Sequence, residues 1–151
     1  HHRFFVIYLF SKKSMKKVLV VCTGNSCRSQ MAEGFLRNLG VDVKSAGIES
    51  HGINPYAVKV MKEINIDIST HKSKTINTLE IGVFDIMITV CDSAKETCPN
   101  ILSITTKIHK SFKDPATASG SYDEKLQLYR EVRDQIDIFC CQFSNEYSSV
   151  E

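Results

Sequence analysis

Residues 18–29 read VLVVCTGNSCRS, and this stretch decides the fold class. Residues 18–21 form an uninterrupted apolar run, which predicts a short strand buried on both faces. Residues 22–29 are small, polar and turn-forming, and a segment with helical spacing follows them, in which Met31, Phe35 and Leu39 recur four apart. A strand, a tight loop and a helix in this order predict the first βα unit of a parallel sheet.

The rest of the chain repeats this alternation of strands and helices. Further apolar runs predict strands over residues 41–46, 84–90 and 101–104. Helices are predicted over residues 30–39, from Pro55 onward and over residues 122–143. Gly40 ends the first of these helices. The apolar stripes of the other two are Ala57, Val58, Met61 and Ile64, and Leu126, Tyr129, Val132, Ile136 and Phe139. The predicted fold is an α/β three-layer sandwich around a central, mostly four-stranded parallel sheet.

Composition and charge fit one ordinary globular domain. The chain has 151 residues, of which 42% are hydrophobic and 24% charged, with a formal net charge of +2. This length predicts a single domain. The small net charge gives no electrostatic reason to expect a nucleic acid or a membrane surface as a partner. No stretch approaches the roughly 20 apolar residues of a membrane-spanning helix.

The first residues differ in character from the rest. Residues 1–10 read HHRFFVIYLF, a short apolar run that lacks the small-residue cleavage site of a signal peptide. Met15, followed by two lysines and the first predicted strand, resembles a natural start. We therefore expect residues 1–14 to be an N-terminal extension, derived from an expression vector or from upstream translation. Residues 15–151 are expected to form the single domain.

The loop that follows the first strand suits a tetrahedral oxyanion. It can turn its backbone N–H groups inward, and the N-terminus of the next helix adds partial positive charge. Arg28 adds a guanidinium that can bind two oxygens of the anion. The same field favours the thiolate form of Cys22, to whose sulfur Ser29 can donate a hydrogen bond. The oxyanion is therefore expected to contact Thr23, Gly24, Asn25, Ser26, Cys27, Arg28 and Ser29.

Other interpretations of this loop are weaker. Cys22 could be a structural thiol in an ordinary turn, but the strand before it, the helix after it and Ser29 beside Arg28 favour the oxyanion site. A nucleotide-binding P-loop is excluded because the segment has no Gly-Lys-Ser/Thr ending. A tight loop of this kind predicts positive φ angles at Gly24 and Asn25.

The six cysteines indicate reactive thiols in a reducing compartment. A chain that can form its own core does not need a disulfide framework, and we therefore expect a cytoplasmic protein. Cys91 and Cys98 follow the third predicted strand and could be packing residues, metal ligands or a redox pair. A zinc site lacks support because there is no second cysteine pair, and the histidines are scattered. Because parallel strands end at one edge of the sheet, Cys91 is expected near Cys22.

The segment CTGNSCRSQMAEGF at residues 22–35 closely resembles the active-site loop of the low-molecular-weight protein tyrosine phosphatase superfamily. More narrowly, it resembles the thioredoxin-coupled arsenate reductases built on that fold. The resemblance continues through SAGIESHGINP, MKEINIDIS, TVCDSAKETCP and DPA, which begin at residues 45, 61, 89 and 114. It covers residues 16 to about 140.

This resemblance implies an activity and a set of roles. In such reductases the residue matching Cys22 attacks arsenate, and the residue matching Cys91 releases arsenite and leaves a Cys22–Cys91 disulfide. The residue matching Cys98 then forms a Cys91–Cys98 disulfide, which thioredoxin reduces. The expected partners are thioredoxin and arsenate, with phosphate or sulfate as mimics of arsenate. No bound cofactor is expected, and we expect a monomer.

Asp114, followed by a proline, matches the general acid of the superfamily, which protonates the leaving oxygen. The phosphatases of the superfamily usually have aromatic residues after this dipeptide, where Ala116 and Thr117 stand here. They usually also have a proline at the position of Gln30. Both differences favour a reductase over the nearest alternative, a low-molecular-weight tyrosine phosphatase. An oxyanion-binding redox sensor without turnover is a further alternative.

The remaining candidate positions are expected to be structural. Cys27 should pack against the core, one of Cys140 and Cys141 should lie on the apolar stripe of the last helix, and Asn25 should hold the shape of the loop. In some reductases of the family, residues matching Asn25, Glu33 and Ser45, together with an acidic residue matching Lys74, bind a monovalent cation. Lys74 is basic, so no resident metal is predicted, and its ammonium is expected near Glu33 instead.

Residues 92–97 are expected to form a short helix between Cys91 and Cys98. Seven helical residues rise about 10 Å, whereas a disulfide needs Cα atoms within roughly 7 Å. The segment is therefore predicted to unwind when these two cysteines form a disulfide.

Overall fold

The computed structural model describes residues 16–97, 104 and 106–149. Four strands and four α-helices alternate along this part of the chain. In chain order they are β1 (Lys17–Cys22), α1 (Arg28–Asn38), β2 (Asp42–Gly47), α2 (Pro55–Lys62), β3 (Ile86–Thr89), α3 (Asp92–Thr97), β4 (Thr106–His109) and α4 (Tyr122–Ser149). Short 3₁₀ turns lie at Ile76–Thr78, Ile81–Val83 and Pro115–Thr117.

The strands form one parallel sheet in the order β2-β1-β3-β4. The connections through α1 and α3 run in opposite directions from the centre of the sheet. Because such crossovers are right-handed, these two helices cover opposite faces. This arrangement confirms the predicted three-layer α/β sandwich with a four-stranded parallel sheet.

The centre of the molecule is the strand that the sequence marked most strongly. Residues 18–21 of β1 are completely buried, as a strand covered on both faces must be. The long helix α4 packs against both α1 and α2. The apolar residues of its buried face are Leu126, Tyr129, Val132, Ile136, Cys140 and Phe143.

Most predicted elements are confirmed, with shifts of one or two residues at most of their ends; α4 extends six residues beyond its predicted end at residue 143, and the predicted position of one strand was wrong. The fourth strand is Thr106–His109 rather than residues 101–104; Ile104 is not in a strand, and residues 101–103 lie outside the described residues. In α2, Ala57 and Met61 of the predicted stripe are fully buried together with Val60; Val58 and Ile64, the latter just after the helix, are partly buried and pack against the core. Phe139 of the predicted α4 stripe is likewise partly buried and packs against the core. Among the described residues, no helix is long and apolar enough to cross a membrane.

Candidate active site

The carboxyl ends of β1 and β3 form the edge at which the candidate residues meet. β1 pairs with β3 from Val18↔Ile86 to Val21↔Thr89, so the loops that follow these two strands leave the sheet side by side. Between them lies a cavity of about 460 Å³. The predicted site residues that line it are Cys22, Thr23, Gly24, Ser26, Cys27, Arg28, Cys91 and Asp114. The sequence prediction that both loops share one rim is confirmed.

The Cys22 side chain is held by a chain of three polar groups. Its Sγ lies 2.8 Å from Ser29 Oγ, as the sequence predicted. Asn25 Nδ2 donates to Ser29 Oγ over 2.9 Å and to Ser45 Oγ over 2.9 Å. Because Ser29 accepts from Asn25, its own hydroxyl proton can point at the Cys22 sulfur. Asn25 thus shapes the loop from a fully buried position.

Only one of the two residues expected at positive φ adopts it. Asn25 has φ 47°, whereas Gly24 is not in the left-handed region. Gly24 is required for another reason, because a Cβ built there would lie 2.4 Å from Nδ1 of His51. Gly47, at the end of β2, is constrained by backbone rather than by a side chain, since its Cβ would lie 2.7 Å from the backbone N of Asn25 and 2.8 Å from the carbonyl oxygen of Thr23.

Arg28 joins the loop to the segment that carries the candidate acid. Its Nη1 donates to the carbonyl oxygen of Phe112 over 3.1 Å, and its Nη2 lies 3.6 Å from Asp114 Oδ2. The Arg28 side chain is only 13% exposed, so the anchored guanidinium lies at the wall of the cavity. Asp114 is 39% exposed, and its Oδ1 accepts from the backbone N–H of Ala116. The cation and the acid therefore face the same space as Cys22.

Cys91 contacts the oxyanion loop directly. Its Sγ lies 3.3 Å from the hydroxyl of Thr23, the residue after Cys22. Cys91 is 4% exposed and precedes the first turn of α3, where the backbone N–H of Lys95 donates to its carbonyl. The predicted helix over residues 92–97 is confirmed, whereas Cys98 lies outside the described residues.

Comparison with known proteins agrees with this geometry. Residues 17–149 match the family described as low molecular weight phosphotyrosine protein phosphatase. The chain belongs to this family. The arsenate reductase of Halalkalibacterium halodurans is 50% identical over 124 residues, 80% of this chain and 89% of the relative. The arsenate reductase of Bacillus subtilis is 46% identical over the same shares. A solved arsenate reductase in a phosphate-binding state has 34% identity and a TM-score of 0.77, over 88% of this chain and 99% of that one.

In some relatives of the resembling family a monovalent cation binds near the residues matching Asn25, Glu33 and Ser45. The oxygen atoms of these residues do not fit such a cation here. Asn25 Oδ1 already accepts from Gln30 Nε2 and from the backbone N–H of Lys74, both over 2.9 Å. Glu33 Oε1 accepts from the backbone N–H of Ser45 over 2.7 Å and from its hydroxyl over 2.8 Å. The oxygens that would bind a cation are therefore occupied by protein donors.

The second carboxylate oxygen of Glu33 contacts residues other than Lys74. Glu33 Oε2 lies 3.1 Å from Arg37 Nη2 and 3.5 Å from His71 Nδ1. Lys74 instead donates to the carbonyl of Lys72. Burial lowers the pKa of Lys74 while Glu33 acts in the opposite direction. Lys74 is therefore close enough to Glu33 to interact with it electrostatically, as predicted, although the groups that contact Glu33 Oε2 are Arg37 and His71.

The other cysteines occupy the structural positions expected of them. Cys27 is buried, and this burial raises the pKa of its thiol well above the ordinary value. Cys140 is completely buried on α4 with its pKa raised for the same reason, while Cys141 is exposed. Neither Cys140 nor Cys141 lines the cavity.

Sequence reasoning missed three contacts in and around the site. It did not identify Thr23 as the partner of Cys91, the Phe112 carbonyl as the anchor of Arg28, or His71 beside Glu33. The Thr23 contact follows from the sheet register: Val21 pairs with Thr89, so Thr23 and Cys91, each two residues farther along, come opposite each other. The other two depend on how long loops fold back, for which the sequence pattern gives no signal.

Proposed function

We propose that this protein reduces arsenate to arsenite, with Cys22 as the nucleophile and Cys91 as the second thiol. The observation that supports it is the juxtaposition of two thiols at one cavity, with the Thr23 hydroxyl 3.3 Å from the Cys91 sulfur. The relatives named arsenate reductase support the same substrate. A phosphatase needs the first thiol only, so it gives no account of the second.

In the first step the Cys22 thiolate attacks arsenic, a sulfur–arsenic bond forms and an arsenic–oxygen bond breaks. Asp114 gives its proton to the departing oxygen, which leaves as water. The N–H groups of the loop and the guanidinium of Arg28 stabilise the remaining negative oxygens. The hydrogen bond from Ser29 steadies the attacking sulfur.

In the second step the Cys91 thiolate attacks the sulfur of Cys22. The Cys22–Cys91 bond forms and the sulfur–arsenic bond breaks, leaving its electron pair on arsenic, which changes from As(V) to As(III) and departs as arsenite. Cys98 then attacks the sulfur of Cys91, and Cys22 leaves as a thiolate. Thioredoxin, as the reductant, supplies two electrons and two protons to the Cys91–Cys98 disulfide. A cytoplasmic monomer without a bound cofactor fits this cycle.

The cavity lining favours arsenate over a phosphotyrosine. Of the described residues that line it, only Phe112 is a phenylalanine, tyrosine or tryptophan, and Phe112 is 4% exposed. Ala116 lines the cavity at a position where the phosphatases usually carry an aromatic residue. The site therefore presents a small polar space rather than walls for an aromatic ring.

Arsenate-dependent oxidation of thioredoxin tests the proposal. Cys22→Ser should abolish both this oxidation and any cleavage of p-nitrophenyl phosphate. Cys91→Ser should abolish arsenate reduction yet retain phosphate ester cleavage, because only the second thiol is lost. Cys141→Ser, which removes an exposed cysteine outside the cavity, is the matched control and should behave as the native chain. Sustained multi-turnover reduction by Cys91→Ser would refute the relay.

A further inference from the structure

A histidine outside the cavity contacts two residues of the segment that carries Cys91. His109 is the last residue of β4, and in the sheet register it is the partner of Thr89, the last residue of β3. Its Nδ1 lies 2.7 Å from Thr89 Oγ1, and its Nε2 lies 3.0 Å from Asp92 Oδ1. Cys91 lies between these two partners along the chain. The imidazole therefore bridges the end of a buried strand and the first residue of α3.

The geometry fixes which group donates when the ring is neutral. A carboxylate can only accept, so Nε2 carries the proton and donates to Asp92. Nδ1 then accepts from the hydroxyl of Thr89. Thr89 is 4% exposed, whereas Asp92 is 75% exposed at the side chain. The imidazole thus links the exposed carboxylate of Asp92 to the buried hydroxyl of Thr89 and restrains the Asp92 side chain.

Hydrogen bonds also hold the residues on both sides of Cys91. The N–H of Val90 donates to the carbonyl of Val21, and the N–H of Phe112 donates to the carbonyl of Val90. Beyond Cys91, in the first turn of α3, Asp92 is held by the bond from His109. Neither Thr89 nor His109 lines the cavity, whereas Asp92 and Cys91 both do, so an effect of His109 on the reaction must pass through Asp92 and the adjacent Cys91.

We propose that His109 is a positioning residue that holds Cys91 against Thr23 for its attack on Cys22. The proposal rests on the relay described above. Attack on sulfur requires the Cys91 sulfur to approach in line with the bond between the Cys22 sulfur and arsenic. Loss of a positioning hydrogen bond lets the first turn of α3 adopt other orientations, which makes this alignment rarer. Removing the imidazole should therefore slow formation of the Cys22–Cys91 disulfide and leave the chemistry of Cys22 itself unchanged.

The test measures this one step in a Cys98→Ser background, in which the relay stops at the Cys22–Cys91 disulfide. After mixing with arsenate, samples are quenched with acid, and the disulfide is quantified by peptide mass spectrometry. His109→Ala should slow its formation by roughly three- to tenfold, the change expected for loss of the hydrogen bond that holds Asp92. Asp92→Ala at the exposed end of the same bond should slow it by a similar factor. The double variant should be no slower than either single variant, because each substitution removes the same His109–Asp92 hydrogen bond.

Two controls separate positioning from general loosening. Asp92→Asn keeps an oxygen that accepts from Nε2, and its rate should stay within about twofold of the native rate. Lys110→Ala changes the exposed neighbour of His109 and should have no effect. The rate of Cys22 alkylation by iodoacetamide should be the same in His109→Ala as in the native chain, because the oxyanion loop is untouched.

The outcomes distinguish the two proposals. Native rates in His109→Ala and Asp92→Ala, with the disulfide formed normally, would overturn the positioning role and leave the relay intact. Additive slowing in the double variant, or equal slowing in Lys110→Ala, would also overturn it. If arsenate produced no Cys22–Cys91 disulfide even with His109 present, the relay itself would be refuted, and the positioning role with it.

Discussion

Gly24 lies within the oxyanion loop and Gly47 lies next to it at the end of β2, and their missing Cβ atoms leave room for two different kinds of neighbour. At Gly24 the space is filled by the imidazole of His51, which is 54% exposed at the side chain and pairs with Glu49. At Gly47 the space is filled by backbone atoms, namely the carbonyl oxygens of Glu49 and Thr23 and the N of Asn25. An exposed ring can turn away, whereas the backbone of a tight loop cannot.

This difference predicts unequal effects of one added methyl group. Gly47→Ala should displace the loop and lower kcat/KM for arsenate by roughly a hundredfold, since misplacement by about 1 Å can cost that much. Gly24→Ala should cost much less, because His51 can rotate toward solvent. Steady-state kinetics of the two variants, with circular dichroism to verify folding, check this. Equal losses would show that the loop does not depend on the close approach at Gly47.

The fold opposes protonation of His71. Burial lowers its pKa, the effect of Arg37 and Lys74 adds to this, and the carboxylate of Glu33 opposes it. The unfolded chain therefore binds more protons at His71 than the folded chain as the pH falls through about 6.5. The contribution of neutral His71 to stability is complete above that pH and is lost below it.

We accordingly expect the free energy of unfolding to fall more steeply on acidification with His71 than without it. His71→Gln keeps a neutral polar group beside Gln30 but cannot be protonated. Urea unfolding at about pH 7.5 and about pH 5.5 should show a smaller difference for His71→Gln than for the native chain. A larger difference in the variant would reverse the sign of the argument.

At the scale of elements, the sequence predicted best where a strand is buried on both faces. β1 and β3 are central strands with neighbours on both sides, and their continuous apolar runs identified them. β4 is an edge strand that reads TKIH, with no residue fully buried, so it lacks such a run. The apolar residues 101–104 were therefore predicted as the fourth strand in its place, which was wrong. The oxyanion loop was predictable for the opposite reason, because its chemistry depends on residues contiguous in sequence. Phe112 and His71 reach the site through loops whose path depends on tertiary packing.

The short helix α3 provides a prediction at this scale. It has six residues, and we expect it to be stable only while Cys91 remains a thiol bound near Thr23. Formation of the Cys91–Cys98 disulfide should unwind it, because helical spacing keeps the two Cα atoms about 10 Å apart. Amide hydrogen exchange across residues 92–97 should be faster in the oxidised protein than in the reduced one. Unchanged protection, with the disulfide verified by mass spectrometry, would remove unwinding from the mechanism.

At the scale of the whole molecule, the catalytic edge is separate from the contacts that hold the helices together. Glu63, just after α2, receives hydrogen bonds from Arg130 and Arg133 of α4. The bond from Arg130 is the main cause that lowers the pKa of Glu63. Arg133 is 9% exposed and also donates to the carbonyl of Val60 over 2.9 Å. None of these residues lines the cavity, so stability and catalysis can be perturbed independently here.

Substitution of the two arginines should therefore affect stability unequally and leave catalysis unchanged. Arg133→Met removes buried hydrogen bonds to a carbonyl and a carboxylate and should lower the free energy of unfolding by about 1–3 kcal/mol. Arg130→Met removes a solvent-exposed ion pair and should have a much smaller effect, because water and salt weaken such pairs. Urea unfolding gives the two free energies, and kcat for arsenate should stay at the native value in both variants. If Arg130→Met lowered the free energy of unfolding as much as Arg133→Met, the exposed charges would be what mainly holds α2 against α4. If kcat fell while stability stayed unchanged, these helices would help to position the oxyanion loop.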